Sequence, residues 1–232
     1  WVTSGENSDL IIFFCKTEKG AGSKGISAFI IEKGTPGLTT GKKEEKLGIR
    51  ASDTCELYFD NCEIPESNLI GNLGQGFSIA MQALGGGRIG IASQSVGLAR
   101  SALDKTISYS QEREQFGKPI VDFQAVQIKL ADMLMKVEAS RLLIHRAVFN
   151  AANGLPDILE SSSAKCFANE ISREVTTTAM QLMGGYGFNK EYGMERKVRD
   201  SFGWGIAGGT IDVQKVNIAS AMIGRRFNQR AK

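Results

Sequence analysis

Apolar residues recur along this chain with two different periods, and the change comes once. Over roughly the first 70 residues they form short runs. Leu10 to Cys15 and Ile26 to Ile31 are rich in Ile and Phe and are separated by the turn cluster Gly20-Ala21-Gly22-Ser23-Lys24-Gly25. That arrangement predicts a hairpin. Pro36-Gly37 marks a second turn, and Cys55, Leu57 and Phe59 alternate with polar residues before Ile64-Pro65 closes the segment. A partly exposed antiparallel sheet follows from this pattern.

From about Gly76 the period becomes helical. Phe123, Val126, Leu130, Met133, Val137 and Ile144 fall at spacings of three, four or seven, as do Leu159, Cys166, Val175 and Leu182. The stripes predict four helices near residues 76–112, 121–151, 157–184 and 211–229. The breaks between them are Gly117-Lys118-Pro119, Gly154-Leu155-Pro156 and Gly184-Gly185-Tyr186-Gly187. The expected fold class is α+β: an antiparallel β domain over residues 1–72, followed by an antiparallel four-helix bundle over residues 73–232.

Composition narrows the function classes. With 232 residues and 42% hydrophobic content the chain can bury a sizeable core. Its 28 basic and 25 acidic residues nearly cancel and are mixed along the sequence, so no nucleic-acid or anionic-membrane surface is indicated. No apolar run reaches the roughly 18 to 20 residues of a membrane span, and no signal-peptide pattern is visible. Cys15, Cys55, Cys62 and Cys166 lack metal-type spacing and are expected as four reduced thiols in a reducing compartment. The chain opens on Trp1 without a methionine, which predicts a piece of a longer protein.

Ordinary catalytic groups are scarce. His145 is the only histidine, too few for a multi-histidine metal site, and is expected to be a packed or surface residue of a helix. No metal is expected. Glycines are more informative. Gly85, Gly86 and Gly87 fall inside the first helix, where each costs about 1 kcal/mol relative to alanine; either the helix breaks there or a ligand approaches the backbone. Gly184-Gly185 and Gly208-Gly209 pose a similar choice between a helix-end turn and a ligand contact.

One family resemblance runs through these landmarks. Gln181-Leu182-Met183-Gly184-Gly185-Tyr186-Gly187-Phe188, followed by Glu191, Arg196 and Asp200, resembles the C-terminal signature of acyl-CoA dehydrogenases. Trp1-Val2-Thr3 resembles the family's flavin motif, and Lys46-Leu47-Gly48-Ile49-Arg50-Ala51-Ser52 and Arg113-Glu114-Gln115-Phe116-Gly117 match two further landmarks. The similarity covers the whole chain and is greatest to short-chain and short-branched-chain members. It implies the family's fold with its N-terminal helical domain missing, and an FAD enzyme of fatty-acid or amino-acid degradation in a bacterial cytoplasm or a mitochondrial matrix.

The resemblance also implies roles. Trp1 matches the residue beside the isoalloxazine and Thr3 the hydroxyl near flavin N5. Arg113 and Phe116 match positions that reach the FAD of a neighbouring subunit, which implies a homo-oligomer, a tetramer or dimer of dimers. Gln124, Gln181, Gly184 and Gly185 match further cofactor contacts, and Thr210 and Asp212 match the Thr-x-Glu that closes over FAD. On the substrate side Arg88, Gly87 and Gly209 match positions along the acyl-CoA channel, while Gly85 stands where an aspartate usually contacts pantetheine. Arg225, Arg226 and Arg230 either reach CoA phosphates or form a solvated basic face.

The largest departure concerns the catalytic base. α,β-Dehydrogenation of an acyl-CoA needs a carboxylate for the α-proton, because the thioester α-carbon is a weak acid. The family's usual glutamate position is Gly208 and its alternative position is Gly87, so neither base is present. The expected function is nevertheless α,β-dehydrogenation of an acyl-CoA, with electrons passed to an electron-transfer flavoprotein. A base from upstream residues, or chemistry that needs no such proton abstraction, would sustain it. The alternatives are a flavoprotein of the same fold with other chemistry, such as elimination or oxygen-dependent oxidation, and a non-catalytic FAD- or acyl-CoA-binding subunit.

Overall fold

A computed structural model describes residues 1–152, 154–225 and 227. Two compact units divide the chain, Trp1–Ala83 and Leu84–Lys232.

The first unit is built from short antiparallel pairings. Strands β1 (Val2–Thr3), β2 (Leu10–Lys16), β3 (Ile26–Glu32), β4 (Leu38–Thr40), β5 (Thr54–Cys55), β6 (Leu57–Phe59) and β7 (Leu69–Ile70) follow in order. β2 and β3 form the expected hairpin, with Leu10 opposite Glu32 and Phe13 opposite Phe29, and β7 pairs with the other edge of β3. β1 pairs with β5 and β4 with β6. The β region is therefore three small sheets and not one continuous sheet: outside the seven-residue β2–β3 pairing, the β1–β5, β3–β7 and β4–β6 pairings are only two or three residues long. Ala28, Ile31 and Cys55 supply its core, and Phe13 packs on Phe59 with ring centroids 4.5 Å apart.

Helices dominate the rest: α1 (Gly76–Glu112), α2 (Gln124–Asn150), α3 (Ile158–Met183), α4 (Gly185–Phe188), α5 (Met194–Trp204) and α6 (Ile211–Ile223). A two-residue hairpin, β8 (Glu114–Gln115) with β9 (Lys118–Pro119), joins α1 to α2. α2 and α3 run antiparallel, since Lys136 pairs with Glu174 whereas Arg146, nearer the end of α2, pairs with Glu160, nearer the start of α3. α3 lies at the centre and packs on α2, α5 and α6. Its buried face is rich in small residues, including Ser161, Ser162, Ala164, Ala168 and Ser172, which lets neighbouring backbones come close. Asn169 on that face donates to Ser95 Oγ of α1 at 2.6 Å.

Two expectations are corrected and one open choice is resolved. α1 runs unbroken through Gly85, Gly86 and Gly87, as the expected helix over residues 76–112 requires, so the helix-break alternative for the triple glycine is removed. A helix absent from the expected four, α5, occupies residues 194–204; its apolar Met194, Val198 and Phe202 recur every fourth residue among charged neighbours, and Met194 enters the main core. α6 stops at Ile223 and does not reach residue 229, because Gly224 adopts φ 69° and its N–H caps Ala221 and Ser220. Arg226 and Arg230 lie outside the described residues, while Arg225 stacks over Phe227 at 4.8 Å.

All four cysteines are unbridged. His145 is exposed on α2. Among the described residues there is no cluster of metal-binding side chains, and no helix is long and apolar enough to cross a membrane.

Candidate functional site

In the first unit, Trp1 is 90% exposed and lines a cavity of about 400 Å3 with Ile11, Phe13 and Tyr58. Thr3 stands opposite Thr54 on the β1–β5 ladder, with its side chain exposed. The Lys46-to-Ser52 landmark braces this ladder: Lys46 Nζ donates to Ser52 O and, at 2.8 Å, to Thr54 Oγ1, and Arg50 Nε donates to Lys46 O at 2.8 Å. Next to it, buried Asp53 accepts from the Glu6 N–H at 2.9 Å and from Asn7 Nδ2 at 2.8 Å. These bonds, the Glu6 one foremost, hold its carboxyl below the ordinary carboxylate range.

In the second unit, Arg113 ends the last turn after α1 with its guanidinium over the Tyr186 ring, 5.4 Å from the centroid. Tyr186 belongs to a trio: it meets Tyr192 at 5.3 Å and Tyr109 at 6.1 Å, and Tyr109 meets Tyr192 edge-on at 6.0 Å. Burial raises the Tyr109 phenol above its ordinary pKa. The trio ties α1 to the Gly184-Gly185 turn. A cavity of about 510 Å3 opens there, lined by Arg113, Gln115, Gly184, Gly185, Tyr186 and Glu191 among others. Gly184 adopts φ 57°, and neither Gly184 nor Gly185 would place a Cβ within 4 Å of another group, so the backbone is open to a close-lying ligand. Arg113 and the glycine pair are thus brought together. Phe116, 93% exposed with φ 55°, and the exposed Gln124 and Gln181 stand outside that lining.

The α5–α6 turn forms a second focus in this unit. Gly208 (φ 63°) and Gly209 (φ 91°) are successive left-handed residues, and Thr210 caps α6 by accepting the Val213 N–H at 3.4 Å. Asp212 is exposed in the first turn of α6, where a negative charge suits the helix dipole. Arg88 on α1 is 8% exposed, and its Nε has no hydrogen-bond partner among the described residues; burial lowers its pKa. Gly87 beside it has nothing within 4 Å of a would-be Cβ.

Sequence reasoning missed two residues here. Lys165 is fully buried, donating from Nζ to Gly209 O at 2.7 Å and Trp204 O at 3.5 Å, and Gln214 donates to Gly208 O and Gly209 O at 3.3 and 3.2 Å. A lysine set between Ala164 and Cys166 on the buried stripe of α3 was the available signal. Burial, with the positive charges of Arg88 and Arg173 adding to it, brings the Lys165 ammonium down to about 8.

Comparison with known proteins places this geometry. The acyl-CoA dehydrogenase C-terminal domain matches residues 74–223 and the acyl-CoA dehydrogenase middle domain matches residues 1–62. A short-chain-specific acyl-CoA dehydrogenase of Megasphaera elsdenii is 44% identical over 96% of this chain and 58% of its own length. The structure of butyryl-CoA dehydrogenase from Megasphaera elsdenii superposes with a TM-score of 0.92 at 44% identity, over 95% of this chain and 58% of that one. A chain in a structure described for the electron-transferring flavoprotein of Acidaminococcus fermentans gives a TM-score of 0.93 at 45% identity, over 95% of this chain and 58% of its own. The chain spans about 58% of the length of these relatives.

Proposed function

Because this chain belongs to the acyl-CoA dehydrogenase family, we propose that it works as an FAD-dependent oxidoreductase on an acyl-CoA thioester. Acyl-CoA dehydrogenase homologues and their structures are FAD-binding flavoproteins. The observation that carries the reading is the meeting of Arg113 with Gly184 and Gly185 around one cavity. A guanidinium fork beside open glycine backbone suits a pyrophosphate. Tyr186 holds the Arg113 guanidinium from one face and so fixes its direction. The capped start of α6 at Thr210 supplies a second anion-favouring surface. Trp1 and Thr3 would take the flavin ring, and Gln124, Gln181, Phe116 and Asp212 further parts of the cofactor. When bound, FAD accepts the hydride lost from the β-carbon. Electron-transfer flavoprotein as acceptor and a homo-oligomer that completes each site complete this reading.

In this reading Arg88 and the Gly208-Gly209 turn would take the acyl-CoA side. The α-proton is the difficulty, since Gly208 and Gly87 offer no carboxylate. That observation supports a second reading, in which the chain binds FAD and acyl-CoA but performs other chemistry or none. Anaerobic mixing of the flavin-loaded, full-length protein with butyryl-CoA decides between them. Flavin bleaching about 100- to 10,000-fold slower than in glutamate-bearing relatives is expected if no other base acts. Protein that stays colourless after reconstitution with excess FAD refutes both readings, and a bound flavin that no acyl-CoA bleaches leaves the second.

A further inference from the structure

We propose that Lys165 is a positioning residue that holds the turn between α5 and α6, with Gly208, Gly209 and Thr210 in it, in one conformation; that this conformation is the one that meets cofactor and substrate rests on the proposed function. Two successive left-handed glycines have no strong preference of their own. The shape must come from outside the turn. Lys165 Nζ reaches both of its ends, Trp204 O and Gly209 O, from the buried face of α3. Buried Gln214 grips the same strand from the α6 side through Gly208 O and Gly209 O. Within the turn the Ile206 and Ala207 N–H groups donate to Gly203 O at 3.1 Å, and the Ile211 N–H donates to Gly205 O at 3.2 Å.

The dependence is mutual. Neither Lys165 nor its neighbours Arg88 and Arg173 belong to an ion pair among the described residues, so the turn's carbonyl dipoles are the partners of the Lys165 ammonium. These bonds offset only part of the cost of burying the charge, so the neutral amine, which can still donate to the same carbonyls, suits the closed turn better. The ionisable groups acting on Lys165 are Cys166 and Arg173 on α3 and Arg88 on α1. From α6 the facing side chain is neutral Gln214, while Asp212 and Lys215 act on Cys166. On the α2 side, Lys136 and Arg146 are engaged with Glu174 and Glu160.

A pH signature follows. With the turn closed, Lys165 titrates near 8; opening the turn to water returns it towards 10.5. Between those values the open form binds more protons, so raising the pH favours the closed form, and below 8 the balance is flat. The test is hydrogen exchange at the Ile206, Ala207 and Ile211 amides of the flavin-free, full-length protein from pH 7 to 10.5, corrected for intrinsic rates. Protection should rise with a limiting slope of about tenfold per pH unit above 8 while α2 amides show no such rise. Lys165→Met should lower protection and abolish the rise, and should weaken FAD binding at least about tenfold, the loss of one charge-assisted bond. Protection in the wild type that ignores pH, or a rise that survives in Lys165→Met, overturns the proposal. If the variant does not fold, the wild-type profile alone decides. An unchanged FAD dissociation constant in a folded Lys165→Met removes the positioning role. Wild-type protein that never binds FAD refutes the proposed function instead, while the exchange profile still reports on Lys165.

Discussion

A Cβ built on Gly208 stands 2.5 Å from Ile91 Cδ1, so the side chain of Ile91 fills the space where a residue larger than glycine would begin. The two possible sites for a restored base are therefore unequal. Gly208 is also left-handed, at φ 63°, whereas Gly87 is helical with open space around it.

Gly87→Glu should fold at least as well as the wild type, because leaving glycine in a helix interior gains about 0.5–1 kcal/mol. It should also raise the rate of flavin reduction by an acyl-CoA by up to about 100- to 10,000-fold, the usual worth of a general base. Gly208→Glu should instead lose about 1–3 kcal/mol to backbone strain and crowding. Thermal melts and anaerobic stopped-flow of the two variants check this, and equal behaviour would contradict it.

Arg113→Ala should weaken FAD binding by about 1–3 kcal/mol, since phosphate oxygens lose a forked donor. Arg113→Lys should recover only part, as a point charge cannot fork or stack on Tyr186 in the same way. Fluorescence titration of the flavin-free protein measures both.

Met194→Ala should destabilise the protein by about 2–5 kcal/mol, as for other large-to-small changes in a packed core. Met194 is fully buried in the main cluster although it begins a helix of polar composition. A denaturant midpoint shifted by less than about 1 kcal/mol would show that α5 is not anchored there.

Asp53 gives a pH dependence with a fixed sign. Its carboxyl is held below the ordinary value of 3.8 by the Glu6 N–H and Asn7, so its contribution is present above that value and lost as pH falls through the lower, folded one. In that window the unfolded chain binds the extra proton. Unfolding curves from pH 6 down to about 2 should fall more steeply for the wild type than for Asp53→Asn, the difference isolating this group from the other carboxylates.

What the sequence made legible was whatever depends on local period. The β2–β3 hairpin was announced by two Ile- and Phe-rich runs around a glycine cluster, and α2 and α3 by stripes that spanned several turns. α5 was illegible because only Met194, Val198 and Phe202 carry its apolar face, with Gly203 inside the helix and Gly193 and Gly205 at its ends. The site divided in the same way. Arg113 and the Gly184-Gly185 pair stood out as a motif, whereas Lys165 acts on carbonyls of Trp204 and Gly209 that are distant in sequence and carry no side-chain signature. Long-range contacts to backbone atoms leave no pattern of residue types to read.

The outer face of the β2–β3 hairpin has a practical consequence. Leu10 and Ile12 are 61% and 60% exposed, Phe14 joins them on the same face, and β2 lies at the edge of its sheet with one flank unpaired among the described residues. An apolar edge strand of this kind is a template for intermolecular β pairing. Produced by itself at high concentration, this stretch of chain should precipitate, and Ile12→Lys should improve its solubility.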